Sequence, residues 1–141
     1  MTIAKLVLML VCLMSVTLGP KGVPKQAPKE APAEAQVTPL FSKDLANFAG
    51  KEGLMITVVY PPGSSDPIHR HNAHAFVYVL EGSIVMQVKG GREVTLTPGQ
   101  TFYEGPTDVH IVGRNASQTI PAKFVVFLVK DKGAPVVVPA S

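Results

Sequence analysis

The chain has 141 residues, 46% of them hydrophobic and 16% charged, with a formal net charge of +3 at pH 7. That length suits one domain, and so small an excess of positive charge excludes the basic footprint of a nucleic-acid-binding protein. Twelve glycines and thirteen prolines, spread along the chain, imply many turns.

Residues 1–19, MTIAKLVLMLVCLMSVTLG, carry one early lysine and an unbroken apolar run from Leu6 to Met14. The run is too short to cross a hydrocarbon layer about 30 Å thick. An export signal is therefore expected, giving a periplasmic or secreted protein with no stable membrane insertion once the signal is cleaved. Cys12 is the only cysteine and lies in this leader, so the exported domain is expected to have neither disulfides nor thiolate metal ligands. Residues 20–39, PKGVPKQAPKEAPAEAQVTP, contain no large apolar residue beyond valine and read as a disordered Pro/Ala/Lys tether. Residues 1–35 hold four of the thirteen Lys/Arg and two of the ten Asp/Glu, which leaves nine against eight in the remainder. The domain itself is close to neutral.

Residues 40–141 form the expected domain. LMITVVY (54–60) is β-branched and ends at the turn residues PPGSSDP. AFVYVL (75–80) leads through Glu81-Gly82 into SIVMQV (83–88), which reads as a hairpin. KGG turns into REVTLT (92–97), PG into QTFYE, GPTD into VHIVGR, and AKFVVFLVK (122–130) is the last long strand. SKDLANF (42–48) has room for one helical turn. About eight strands, several apolar on both faces, require two sheets or a closed barrel, because a single layer would leave an oily face in water. The fold class is all-β.

Three of the four histidines fall within six positions, in HRHNAH (69–74). Residues two apart on a strand share a face, so His69 and His71 present neighbouring imidazoles while Arg70 faces away. Two nitrogens make half of a metal site, and a loop with two incidental histidines would look the same. His110, in PGQTFYEGPTDVHIVGRNAS, supplies a third ring from a different strand. Gln87 and Tyr103 could line the same cavity, although tyrosine in a barrel wall is more often packing. Glu104 and Asp108 read as solvated turn residues, with Asp108 alternatively an acceptor for His110. Met86 reads as core, and the NAS triplet at 115–117 as a turn.

HxH after a glycine turn, the run VYVLEGS, and a lone later histidine after PGQ…EGP together resemble the cupin superfamily, specifically small single-domain cupins, over about residues 54–130. Gly63, His69, His71 and Gly82 fall on the positions of the first cupin motif, and Gly99 and His110 on those of the second. In the second motif Gly105 and Thr107 stand where Pro and Gly are expected, and Asn115 comes one residue late. The carboxylate of the first motif falls on Ala75 or Phe76, neither of which binds a metal.

The resemblance implies a jelly-roll barrel holding one divalent ion (Zn, Mn, Ni or Fe) through His69, His71 and His110. It also implies a small oxygen-rich ligand, sugar- or carboxylate-like. His74 is the candidate for the missing fourth ligand or for a catalytic acid or base, with a rim or surface position as the alternative. A non-catalytic metal- or ligand-binding protein of the cell envelope is the second expectation. A homodimer is also implied, with the β-prone tail PVVVPAS (135–141) available to cross onto a partner.

Overall fold

A computed structural model describes residue 31 and residues 33–141. The expected signal segment and most of the expected tether lie outside the described residues. Among the described residues there are ten strands and no helix: β1 (Gln36–Asp44), β2 (Lys51–Tyr60), β3 (His69–Arg70), β4 (His74–Glu81), β5 (Ile84–Val88), β6 (Val94–Leu96), β7 (Thr101–Glu104), β8 (His110–Asn115), β9 (Ala122–Asp131) and β10 (Val138–Pro139). They form two antiparallel five-stranded sheets, in the orders β1-β2-β9-β4-β7 and β10-β3-β8-β5-β6.

The long strands follow the period of two. Along β9, Phe124, Val126 and Leu128 are buried while Val125, Phe127 and Val129 are only partly covered. These side chains meet Ile56 and Val58 of β2, Val77 and Val79 of β4, and Ile84, Met86 and Leu96 of the second sheet in one core. Closing the two layers over that core is what removes the apolar inner faces from water.

Four local expectations change. The β4–β5 connection is not a hairpin, because β4 belongs to one sheet and β5 to the other. Glu81-Gly82 is the corner between them. Gly82 has φ +68°, and a Cβ there would lie 2.5 Å from the Pro121 carbonyl oxygen and 2.8 Å from Ala122 Cα, so only glycine fits. SKDLANF makes no helical turn; β1 runs through Asp44, and its register against β2 carries a bulge between Pro39 and Phe41. Gln36 to Pro39, placed in the tether by composition, are part of β1 and pair with Val59 to Ile56. The tail folds back on its own chain, Val138 and Pro139 pairing with Arg70 and His69.

Lys130 points inward at the end of β9 and is 3% exposed. Its Nζ donates to Glu52 at 2.5 Å, to the Ala134 carbonyl at 2.6 Å and to the Asp131 carbonyl at 3.2 Å. The Lys130 bond, helped by Ser42 and the Gly133 N–H, holds the Glu52 carboxyl down to about 2 from an ordinary 4.5. A depressed carboxyl stabilises the fold above its unfolded value and loses that contribution as pH falls through the folded one. The urea midpoint of the wild type should therefore exceed that of Glu52→Gln at pH 7, and the difference should shrink between pH 4.5 and pH 2.

Candidate metal centre

His69 lies on β3 directly opposite His110, the first residue of β8. Directly opposed residues of an antiparallel pair project to the same face, so this register alone brings two rings together. His71 follows by strand alternation, and the chain then turns at Asn72, whose φ of +47° a short polar side chain tolerates. Ring centroids are 4.8 Å apart for His69–His110 and 4.9 Å for His69–His71. One nitrogen from each of the three lies within 4.8 Å of the others, a group that could hold a metal ion.

Backbone carbonyls fix the protons of all three rings. His69 Nδ1 donates to Pro67 O at 2.8 Å, His71 Nδ1 to Val136 O at 2.7 Å, and His110 Nε2 to Val112 O at 2.6 Å. The opposite nitrogens, Nε2 of His69 and His71 and Nδ1 of His110, are left as lone pairs. Burial, and then the neighbouring His69, push His110 down to about 4 and lower His71 as well. Both rings are thus neutral near pH 7. The acceptor for His71 comes from the tail segment that also pairs with β3. A Cβ on Gly113 would sit 2.9 Å from His110 Cε1 and 3.1 Å from the Tyr60 hydroxyl, so glycine there makes room for both rings.

Glu104 departs from its expected place. It is buried, 2% exposed, at the end of β7, and its Oε2 lies 3.4 Å from His110 Nδ1 and 3.6 Å from His71 Nε2. Neither contact is a hydrogen bond: Glu104 Oε2 and His110 Nδ1 are both buried without a partner. Burial, and then the charges of Asp108 and Asp66, push the Glu104 carboxyl up to about 7. A set of converging acceptors that finds no donor within the protein fits a cation. The sequence did hold a clue, since alternation in TFYE places Glu104 on the same face as the half-buried Phe102.

His74 is not brought to this site. It lies on the opposite face of β4 from Ala75, exposed, and its Nδ1 bonds the Tyr103 hydroxyl at 2.7 Å on the outside of the sheet. Strand alternation excludes it from the cavity. Asp108 caps its own turn, accepting from the Gly105 N–H at 2.7 Å, and is not bonded to His110. Gln87 donates to Gly91 O at 2.9 Å and secures the β5–β6 turn. Met86 is core and also cavity wall.

The three histidines and Glu104 open into a cavity of about 400 Å³. Its walls are mostly apolar, including Ile56, Val58, Val77, Met86, Phe124 and Val126. Its second polar group is a pair missed by sequence reasoning, in which the Tyr60 hydroxyl donates to Asp66. Burial raises the Asp66 carboxyl, against the lowering effect of that bond, and burial followed by the Asp66 charge pushes the Tyr60 hydroxyl far up. Asp66 sits in the loop before β3, where no periodicity marks the direction of a side chain.

A family model described as a cupin domain matches residues 56–128. Among solved structures, an uncharacterized conserved protein with a double-stranded beta-helix domain from Klebsiella pneumoniae subsp. pneumoniae MGH 78578 is similar, with 15% identity, a TM-score of 0.60, and 79% of this chain and 90% of that one covered. A cupin domain from Bordetella pertussis Tohama I aligns at 21% identity and a TM-score of 0.55, over 72% of this chain and 99% of its own. DMSP lyase DddQ from Ruegeria pomeroyi DSS-3 aligns at 22% identity and a TM-score of 0.55, over 61% of this chain, which spans only 42% of that enzyme's length. No curated protein matches the chain.

Proposed function

The chain belongs to the cupin family, and from that premise we propose that it holds one divalent cation through His69, His71 and His110 and uses it to bind a small molecule inside the barrel. The convergence of three carbonyl-oriented imidazoles, from β3, the residue just after it and β8, carries this reading. The apolar leader supports placing the protein in the periplasm or outside the cell.

The cavity narrows the ligand. Its polar side chains are the histidines, Glu104, the Tyr60–Asp66 pair, Ser65 and Glu34, while most of the remaining wall is apolar. A carboxylate- or carbonyl-headed molecule with an apolar body suits it better than a sugar, because each buried hydroxyl left unpaired is costly. A bound divalent ion polarises such an oxygen and acidifies water. The Tyr60–Asp66 pair is the group able to hold or release a proton beside it, a role that His74 on the outer face cannot fill.

Turnover of short carboxylic and oxo acids should be measured for the wild type, His71→Ala and Asp66→Asn in the presence of Mn²⁺ or Zn²⁺. Loss of activity in both variants is expected, with metal content lost only in His71→Ala. Equal rates in all three, or none, would favour the non-catalytic binding protein.

A further inference from the structure

We infer that Glu104 is the fourth protein ligand of this centre, supplied from the strand beside the one on which the cupin motif would carry it. The inference rests on the three-histidine reading above. Ala75, the inward-facing one of the two residues on which the motif's carboxylate falls, is the direct cross-strand partner of Glu104 in the β4–β7 ladder. Both are buried on the cavity side of the sheet. Opposed Cβ atoms in an antiparallel pair are about 4.5–5.5 Å apart, so the carboxylate of Glu104 reaches toward the same part of the cavity that a side chain at position 75 faces. The carboxylate at 104 therefore stands across the ladder from the methyl group at 75.

The local chemistry agrees. Glu104 Oε2 faces His71 Nε2 and His110 Nδ1, and those nitrogens are lone pairs because the other nitrogen of each ring donates to a carbonyl. Three acceptors aimed at one another are unfavourable unless a proton or a metal cation lies among them. Of the other acids nearby, Asp108 is occupied with the Gly105 N–H and Asp66 with the Tyr60 hydroxyl. Adding a carboxylate to three imidazoles cancels one positive charge of a divalent ion and makes the donor set more hospitable to a harder ion such as Mn²⁺.

Calorimetric titration with Mn²⁺ alone and Zn²⁺ alone should be run on the wild type, Glu104→Ala, Glu104→Gln and the exchange variant Ala75→Glu/Glu104→Ala, with far-UV circular dichroism to confirm the fold. Glu104→Ala and Glu104→Gln should lose roughly tenfold to a hundredfold or more in Mn²⁺ affinity, the range seen even for outer-shell partners. Zinc affinity should fall less, and the exchange variant should recover most of the Mn²⁺ affinity. Wild-type affinity for Mn²⁺ in both single variants, with binding lost in His110→Ala, would overturn the assignment while leaving the three-histidine centre standing. A wild type that binds neither ion would remove the centre itself, and this assignment with it.

Discussion

Replacing His110 by alanine is expected to abolish stoichiometric binding of a divalent cation while leaving the barrel folded. His110 is the only one of the three histidines on β8, so its loss opens one side of the centre and leaves two neighbouring nitrogens and, on the assignment above, the Glu104 carboxylate. An affinity loss of at least about a hundredfold follows, since outer-shell changes alone cost ten to a hundred. The cost to the apoprotein is smaller. Val112 O loses one donor, worth about 1 kcal/mol, and one unpartnered buried nitrogen disappears. Zinc titration beside urea unfolding of the metal-free protein checks both halves. Unchanged binding would exclude His110 from the site.

The second large effect is on stability. Asn115→Ala should lower unfolding free energy by about 2–4 kcal/mol, from several buried polar groups losing partners at once. The Asn115 amide donates to the carbonyls of Tyr60, Pro61 and Ile120, and its Oδ1 accepts from the Ser117 N–H at 2.8 Å. At 1% exposure it ties the end of β2 to the loop before β9. This is also the end of β2 that carries Tyr60 to Asp66. Asn115→Asp should cost at least as much near neutral pH, because a carboxylate would face three carbonyl oxygens. Urea denaturation of the three proteins measures it; a change below about 0.5 kcal/mol, the range of ordinary surface substitutions, would show that the clamp does not hold the fold.

Where local pattern decides structure, the sequence was readable. The alternation of AKFVVFLVK reports which face of β9 is buried, and the two-residue spacing of His69 and His71 reports a shared direction. What the sequence concealed depends on which strands lie side by side. Glu81-Gly82 carries a turn signal that serves a hairpin and a sheet-to-sheet corner equally well, and only the packing of Gly82 against Pro121 and Ala122 separates them. Glu104 looked like a turn residue because its significance comes from a cross-strand register with Ala75, 29 positions away. The NAS triplet read as a turn, yet Asn115 closes β8 and is buried, bonded to residues up to 55 positions distant. His74 shows the limit of short-range clustering, since the turn at Asn72 resets strand parity and sends the fourth imidazole outward.

A crystal structure of the protein grown with zinc, with anomalous data collected at the zinc edge, tests the centre most directly. One strong peak is predicted within bonding distance, about 2.0–2.1 Å, of His69 Nε2, His71 Nε2 and His110 Nδ1. A cavity with no peak between those rings, or an ion held by His69 and His71 while His110 stays bonded elsewhere, would contradict it.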